Sequence, residues 1–177
     1  MPVVRTADVL SLLDYTAWAN RRILAAAREA GPEAFTAPTE VTFRNLRGTL
    51  VHTLDVERSW RDRLRGLPKE RWDAEVPESE FATVDDLEAR WDQEDAELGA
   101  WLATLDDDVM ASDVDLGPND RFPLWYFLVH VVTHSAQQRR DAATLLTLAG
   151  HPPPEIEFLY YADALAKREA DTTDEGR

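Results

Sequence analysis

His130, His134 and Gln138 follow one another at steps of four residues inside the stretch Leu124 to Gly150. Four residues is close to one helical turn, so each consecutive pair shares a face and can grip one ion or one ligand. Read at 3.6 residues per turn, Leu124, Leu128, Val131, His134 with Ser135, Gln138, Ala142, Leu145 and Ala149 form a single stripe. An imidazole and a carboxamide in a row of aliphatics must find partners, because an unpaired polar group away from water costs about 1–3 kcal/mol. A second periodic stretch carries Phe43, Leu46, Leu50, Leu54, Glu57 with Trp60, and Leu64, with His52 just beside the row. His52, His130, His134 and Gln138 are therefore candidates for a divalent-metal site between two helices. The competing reading is that they hydrogen-bond in the core, since two histidines one turn apart are a weak signal alone. Glu57 also has several readings: an ion pair with an arginine of a neighbouring helix, a tilt to solvent, or a group that orients a ligand.

The elements that must position these groups are all helical. A first helix is expected from about Ala7 to Ala30, with Thr6 as N-cap and Gly31-Pro32 as stop; Asn20 stands in its core stripe and is expected to fix local structure through the backbone. The second helix starts near Thr42 or Asn45 and ends at Arg65, closed by Gly66 and Pro68. A polar connector, Leu67 to Ala82, is too long for a tight turn and implies a crossing of the bundle. Thr83 and Asp86 open a third helix carrying Leu87, Trp91, Glu94, Leu98, Trp101, Leu102 and Leu105. The acid-rich loop from Asp106 to Asp120 lacks the ligand order of a calcium-binding EF-hand. Gly150 ends the fourth helix, Pro152 to Pro154 force an extended turn, and a short fifth helix covers about Glu155 to Arg168.

The expected fold is all-α: a four-helix bundle with long connections and a short C-terminal fifth helix, with no strand signal. Residues 1–168 make one domain burying Trp18, Trp60 and Leu128, and the charged tail 169–177 is expected to be disordered. Trp91, Trp101 and Phe158 read as surface residues that favour self-association.

Composition narrows the chemistry. The formal charge is −15, from 34 acids against 19 Lys and Arg, which argues against nucleic-acid binding through phosphates. With no cysteine, any metal must use imidazole, carboxylate or amide donors. The N-terminus has neither a secretory pattern nor a membrane span, so the expected location is cytoplasmic. No phosphate-binding glycine loop, G-x-S-x-G or H-E-x-x-H motif occurs.

Three segments, YTAWANRRIL, LVHTLDVERSW and HVVTHSAQQRRDAATLLTLAGHPPPEIEFLYY, resemble in order and spacing the DinB/YfiT-like family, which is distinct from the translesion polymerase of similar name. The resemblance covers most of the chain and implies a bundle whose three histidines bind zinc or nickel, leaving positions for water or a low-molecular-weight thiol. His52 matches the first ligand and His134 the second. The third ligand position is occupied here by Gln138, a weaker donor than imidazole, so metal affinity is expected to fall or be lost. His130 or Glu57 could then complete the shell. Related activities imply a metal-dependent thiol transferase or hydrolase-like enzyme, with Arg139 holding a carboxylate of a small-molecule substrate or cofactor. The alternative is a non-catalytic, stress-associated bundle with a degenerate metal site. Family resemblance also implies a homodimer.

Overall fold

A computed structural model describes residues 4–174. Its long helices are α1 (Thr6–Thr36), α2 (Leu46–Leu64), α4 (Val84–Leu102) and α6 (Leu124–Leu148). Between them lie the one-turn α3 (Lys69–Trp72), a 3-10 turn (Glu78–Glu80) and α5 (Asp107–Ala111), and α7 (Phe158–Asp174) follows. The protein is an all-α helical bundle. α6 packs against both α1 and α2, α4 closes the other side, and α7 rests on α1. None of the described helices is long and apolar enough to cross a membrane.

Local sequence explains most boundaries. The Asn45 side chain caps α2 by accepting from the Gly48 N–H at 2.9 Å, and Thr83 and Asp86 form a reciprocal capping box at the start of α4. Gly150 takes φ 84° immediately beyond α6, the left-handed conformation that ends helices cheaply only for glycine. At α1 the outcome differs from the expectation. Gly31 breaks the helix at φ 83°, but Pro32 starts a further turn to Thr36, because proline suits the first position of a helical turn. That turn carries Phe35 into the core. Arg5, not Thr6, occupies the N-cap position.

The expectation of no strands also needs correction. Asp113–Asp115 pairs antiparallel with Arg121–Pro123 in a small hairpin, β1 and β2, with Val114 opposite Phe122. Three-residue strands flanked by acids leave too short an alternation to read. The boundary expected at residue 168 falls inside α7, whose backbone continues to Asp174. Of the tail expected to be disordered, residues 175–177 lie outside the described residues.

Two apolar clusters fill the bundle. One joins Ile23, Leu24 and Ala27 of α1 to Leu50 and Leu54 of α2, Leu87 and Trp91 of α4, and Leu146 of α6. The other joins Val9 and Leu13 to Leu102, Met110, Leu124, Leu128 and Val132. Leu128 is buried as expected, whereas Trp18 and Trp60 are only half-buried. Trp18 lies against Tyr161 and under the Arg22 guanidinium, and Trp60 stacks on Phe127 at 5.6 Å. Trp91 reverses its expectation: it is 1% exposed, the largest side chain of the core.

Candidate functional site

α2 and α6 run antiparallel, so His52 meets His134 while Trp60 meets Phe127 and His130. The His52 and His134 rings stand edge to face, 5.3 Å between centroids and 73° between planes. Both side chains are half-buried, and the His134 Nδ1 is buried without a hydrogen-bond partner. Burial, followed by the neighbouring His52 and His130, pushes the His134 pKa down to about 4. Burial and then the Arg44 charge lower His52 as well. Both rings are therefore neutral at pH 7, the form that ligates metals. Gln138 stands one turn beyond His134, half-buried and without a hydrogen bond to either ring. His130 is exposed at the other end of the row, 5.2 Å from the Trp60 ring and 6.4 Å from that of His134.

This donor set fits a divalent ion in part. Two neutral imidazoles are adjacent, and one offers a buried nitrogen with nothing to bind. The next residue in the row is an amide, however, and among the described residues no group of three or more His, Asp or Glu is placed to hold a metal.

Glu57 belongs to a different layer, between the two apolar clusters. Its Oε1 accepts from Asn20 Nδ2 at 3.0 Å and from Ser135 Oγ at 2.6 Å, and its Oε2 accepts from Trp91 Nε1 at 3.1 Å. One carboxylate thus ties α2 to α1, α6 and α4. Asn20 continues the chain, its Oδ1 accepting from Arg139 Nη1 at 2.9 Å. Asn20 consequently bonds side chains rather than backbone. Burial raises the Glu57 pKa, against the pull of the Ser135 and Asn20 hydrogen bonds. Glu57 neither pairs directly with an arginine nor tilts into bulk solvent. It also lines a small pocket of about 30 Å³ with Asp95, Arg61 and Thr16, room for about one water.

The DinB family description matches residues 1–172. The chain belongs to the DinB family. Comparison with curated proteins gives no match. Within this DinB bundle, the three segments that carried the resemblance all converge on the middle of the fold. YTAWANRRIL supplies Tyr15 and Asn20, LVHTLDVERSW supplies His52 and Glu57, and the α6 segment supplies His134, Ser135 and Arg139.

The DinB fold also corrects the stripe on α6. Its buried residues are Leu124, Phe127, Leu128, Val131, Val132, Ser135, Arg139, Ala142 and Leu146. The centre of the row is therefore Ser135 and Arg139, and His134 and Gln138 sit at its edge, which is why both keep access to solvent. Alternating steps of four and three from Leu124 reach Ser135 and then Gln138, Ala142 and Leu145, whereas the buried row advances from Ser135 to Arg139, Ala142 and Leu146. The apolar pair Leu145-Leu146 blurred that register. Arg139 is 2% exposed, with its guanidinium 5.3 Å from the Tyr15 ring, on the α1 side of the helix.

Proposed function

We propose that this DinB protein is a metal-dependent enzyme of the thiol-transferase or hydrolase-like kind, with zinc or nickel held by His52 and His134 and the Gln138 amide oxygen as a weak third donor. The observation that supports the reading most is the edge-to-face imidazole pair with its buried, partnerless Nδ1. A divalent ion at this position would lower the pKa of an adjacent water or thiol and supply a nucleophile at neutral pH. The chain's own contribution is to keep both rings neutral by burial and to fix α2 against α6. Glu57 acts on the site through the backbone, because it holds Ser135, the residue after His134. His130, one turn before His134, is the alternative donor.

A non-catalytic bundle with a degenerate site is the second reading, and the absence of a three-residue His/Asp/Glu group among the described residues favours it. Metal analysis separates the two. Purified without an affinity tag from cells supplied with zinc, nickel and manganese, the enzyme should carry close to one divalent ion per chain. A chain that emerges empty supports the degenerate site.

The same reading includes a homodimer. Trp91 no longer contributes to that argument, since it is buried. Phe158, Leu159 and Tyr160 of α7 do, at 40%, 78% and 48% exposure. Analytical ultracentrifugation should give a dimer at micromolar concentration, and a single monomeric species would refute it.

A further inference from the structure

The largest cavity described, about 550 Å³, is a groove between α1, the second half of α6 and the Pro152–Pro154 turn. That volume lies in the range of small-molecule sites. Arg139 lines it, and the environment of this arginine is unusual within the protein. The other two buried arginines have carboxylate partners: Arg58 pairs with Asp55 at 2.9 Å, and Arg61 pairs with Asp62 and Glu94. Arg139, equally buried, has none within ion-pair distance among the described residues. Its Nη1 is satisfied by the neutral Asn20 amide, and its Nη2 has no hydrogen-bond partner. Burial lowers its pKa accordingly, with partial support from the Tyr15 hydroxyl and the more distant Glu57 charge.

We propose that the groove binds a small apolar monocarboxylate, with Arg139 as the partner of the carboxylate. The guanidinium fork matches a carboxylate in shape and charge, and a buried cation without an anion gains most from acquiring one. The Tyr15 hydroxyl lies against the guanidinium and donates to the Ile156 carbonyl at 3.0 Å. Redirected to an incoming carboxylate, the same hydroxyl would add a second donor beside the guanidinium. Leu148, 66% exposed, and Ile156 supply an apolar wall for the rest of the molecule. The charged lining is Arg139 and Arg140 against Glu155 and Glu157, and of these only Arg139 is buried, so the groove offers one desolvated cation to match a single carboxylate. The site is separate from the imidazole pair: five residues along α6 turn the face by about 140°. It stands whether or not His52 and His134 bind a metal.

Isothermal titration of the full chain with hexanoate, hexanol and hexylamine tests the proposal. Hexanoate should bind with a stoichiometry of one, and hexanol and hexylamine should bind at least about tenfold more weakly, the margin expected of a charge-assisted contact. Thr147→Trp, at an exposed position lining the groove, should abolish binding by filling it. Arg139→Leu should remove the preference for hexanoate over hexanol; if that variant does not fold, the head-group series and Thr147→Trp decide. No hexanoate binding, equal binding of hexanoate and hexanol, or full affinity in Thr147→Trp would each overturn the assignment.

Discussion

Replacing Glu57 with leucine should destabilise the bundle by roughly 3–5 kcal/mol, the range for removing one member of a buried polar network. Three donors from three other helices lose their acceptor: Asn20 Nδ2, Trp91 Nε1 and Ser135 Oγ. The serine can turn back to a carbonyl of its own helix. The indole and the amide have no such escape, and each orphaned donor costs about 1–3 kcal/mol. Asn20 also loses the bond that orients its oxygen toward Arg139. Glu57→Gln should cost less, because one carbonyl oxygen survives and the Ser135 hydroxyl can turn to accept from the new N–H₂, but one acceptor fewer remains for the Asn20 and Trp91 donors.

The pH dependence of that difference follows from the raised Glu57 pKa. Between the unfolded value, near 4.5, and the higher folded value, the native state binds more protons than the unfolded chain. The wild type's contribution from this group is therefore complete below 4.5 and is lost as pH rises through the folded value. Glutamine does not titrate, so the stability gap between wild type and Glu57→Gln should narrow as pH rises above 4.5. Urea denaturation of both proteins across that range measures it. A constant gap would show that the Glu57 proton is not linked to folding, and a loss under about 1 kcal/mol in Glu57→Leu would show that the network does not hold the helices together.

The network explains which parts of the molecule were legible in the sequence. The ends marked by Asn45, the Thr83–Asp86 box and Gly150 were, because these signals act within a few residues of themselves, whereas the ends of α1 and α7 were not. The pairing of His52 with His134 was also foreseeable from two stripes on two helices. Trp91 was not, since an aromatic on an acid-rich helix reads as surface until its indole N–H is given an acceptor. That acceptor is 34 residues away, and Asn20 and Ser135 lie 37 and 78 residues from the same carboxylate. No local pattern encodes such a meeting. Arg139 is a related case. A charge next to a candidate ligand suggests substrate binding beside it, whereas the helical turn of 100° per residue sends Gln138 and Arg139 to different faces.

That same turn shapes the expected behaviour of the imidazole site. Gln138→His places a third ring one turn from His134 at the edge of the α6 stripe, where His134 itself sits, and imidazole is the better donor for zinc and nickel. Zinc affinity should therefore tighten by about tenfold or more, equivalent to roughly 1.4 kcal/mol. His134→Ala should weaken it by at least a similar factor, since it removes the ring whose buried Nδ1 has no other partner. Protons compete less than for an exposed histidine pair: with His134 held down to about 4 and His52 lowered, both rings stay neutral below the usual 6.5. Binding should accordingly persist as pH falls through 6.5 and weaken only at lower pH. The measurement is a set of zinc titrations of wild type, Gln138→His and His134→Ala, repeated at several pH values. Identical affinity in all three proteins would place any metal away from His134, and a loss centred on 6.5 would mean that the ligating rings are not His52 and His134.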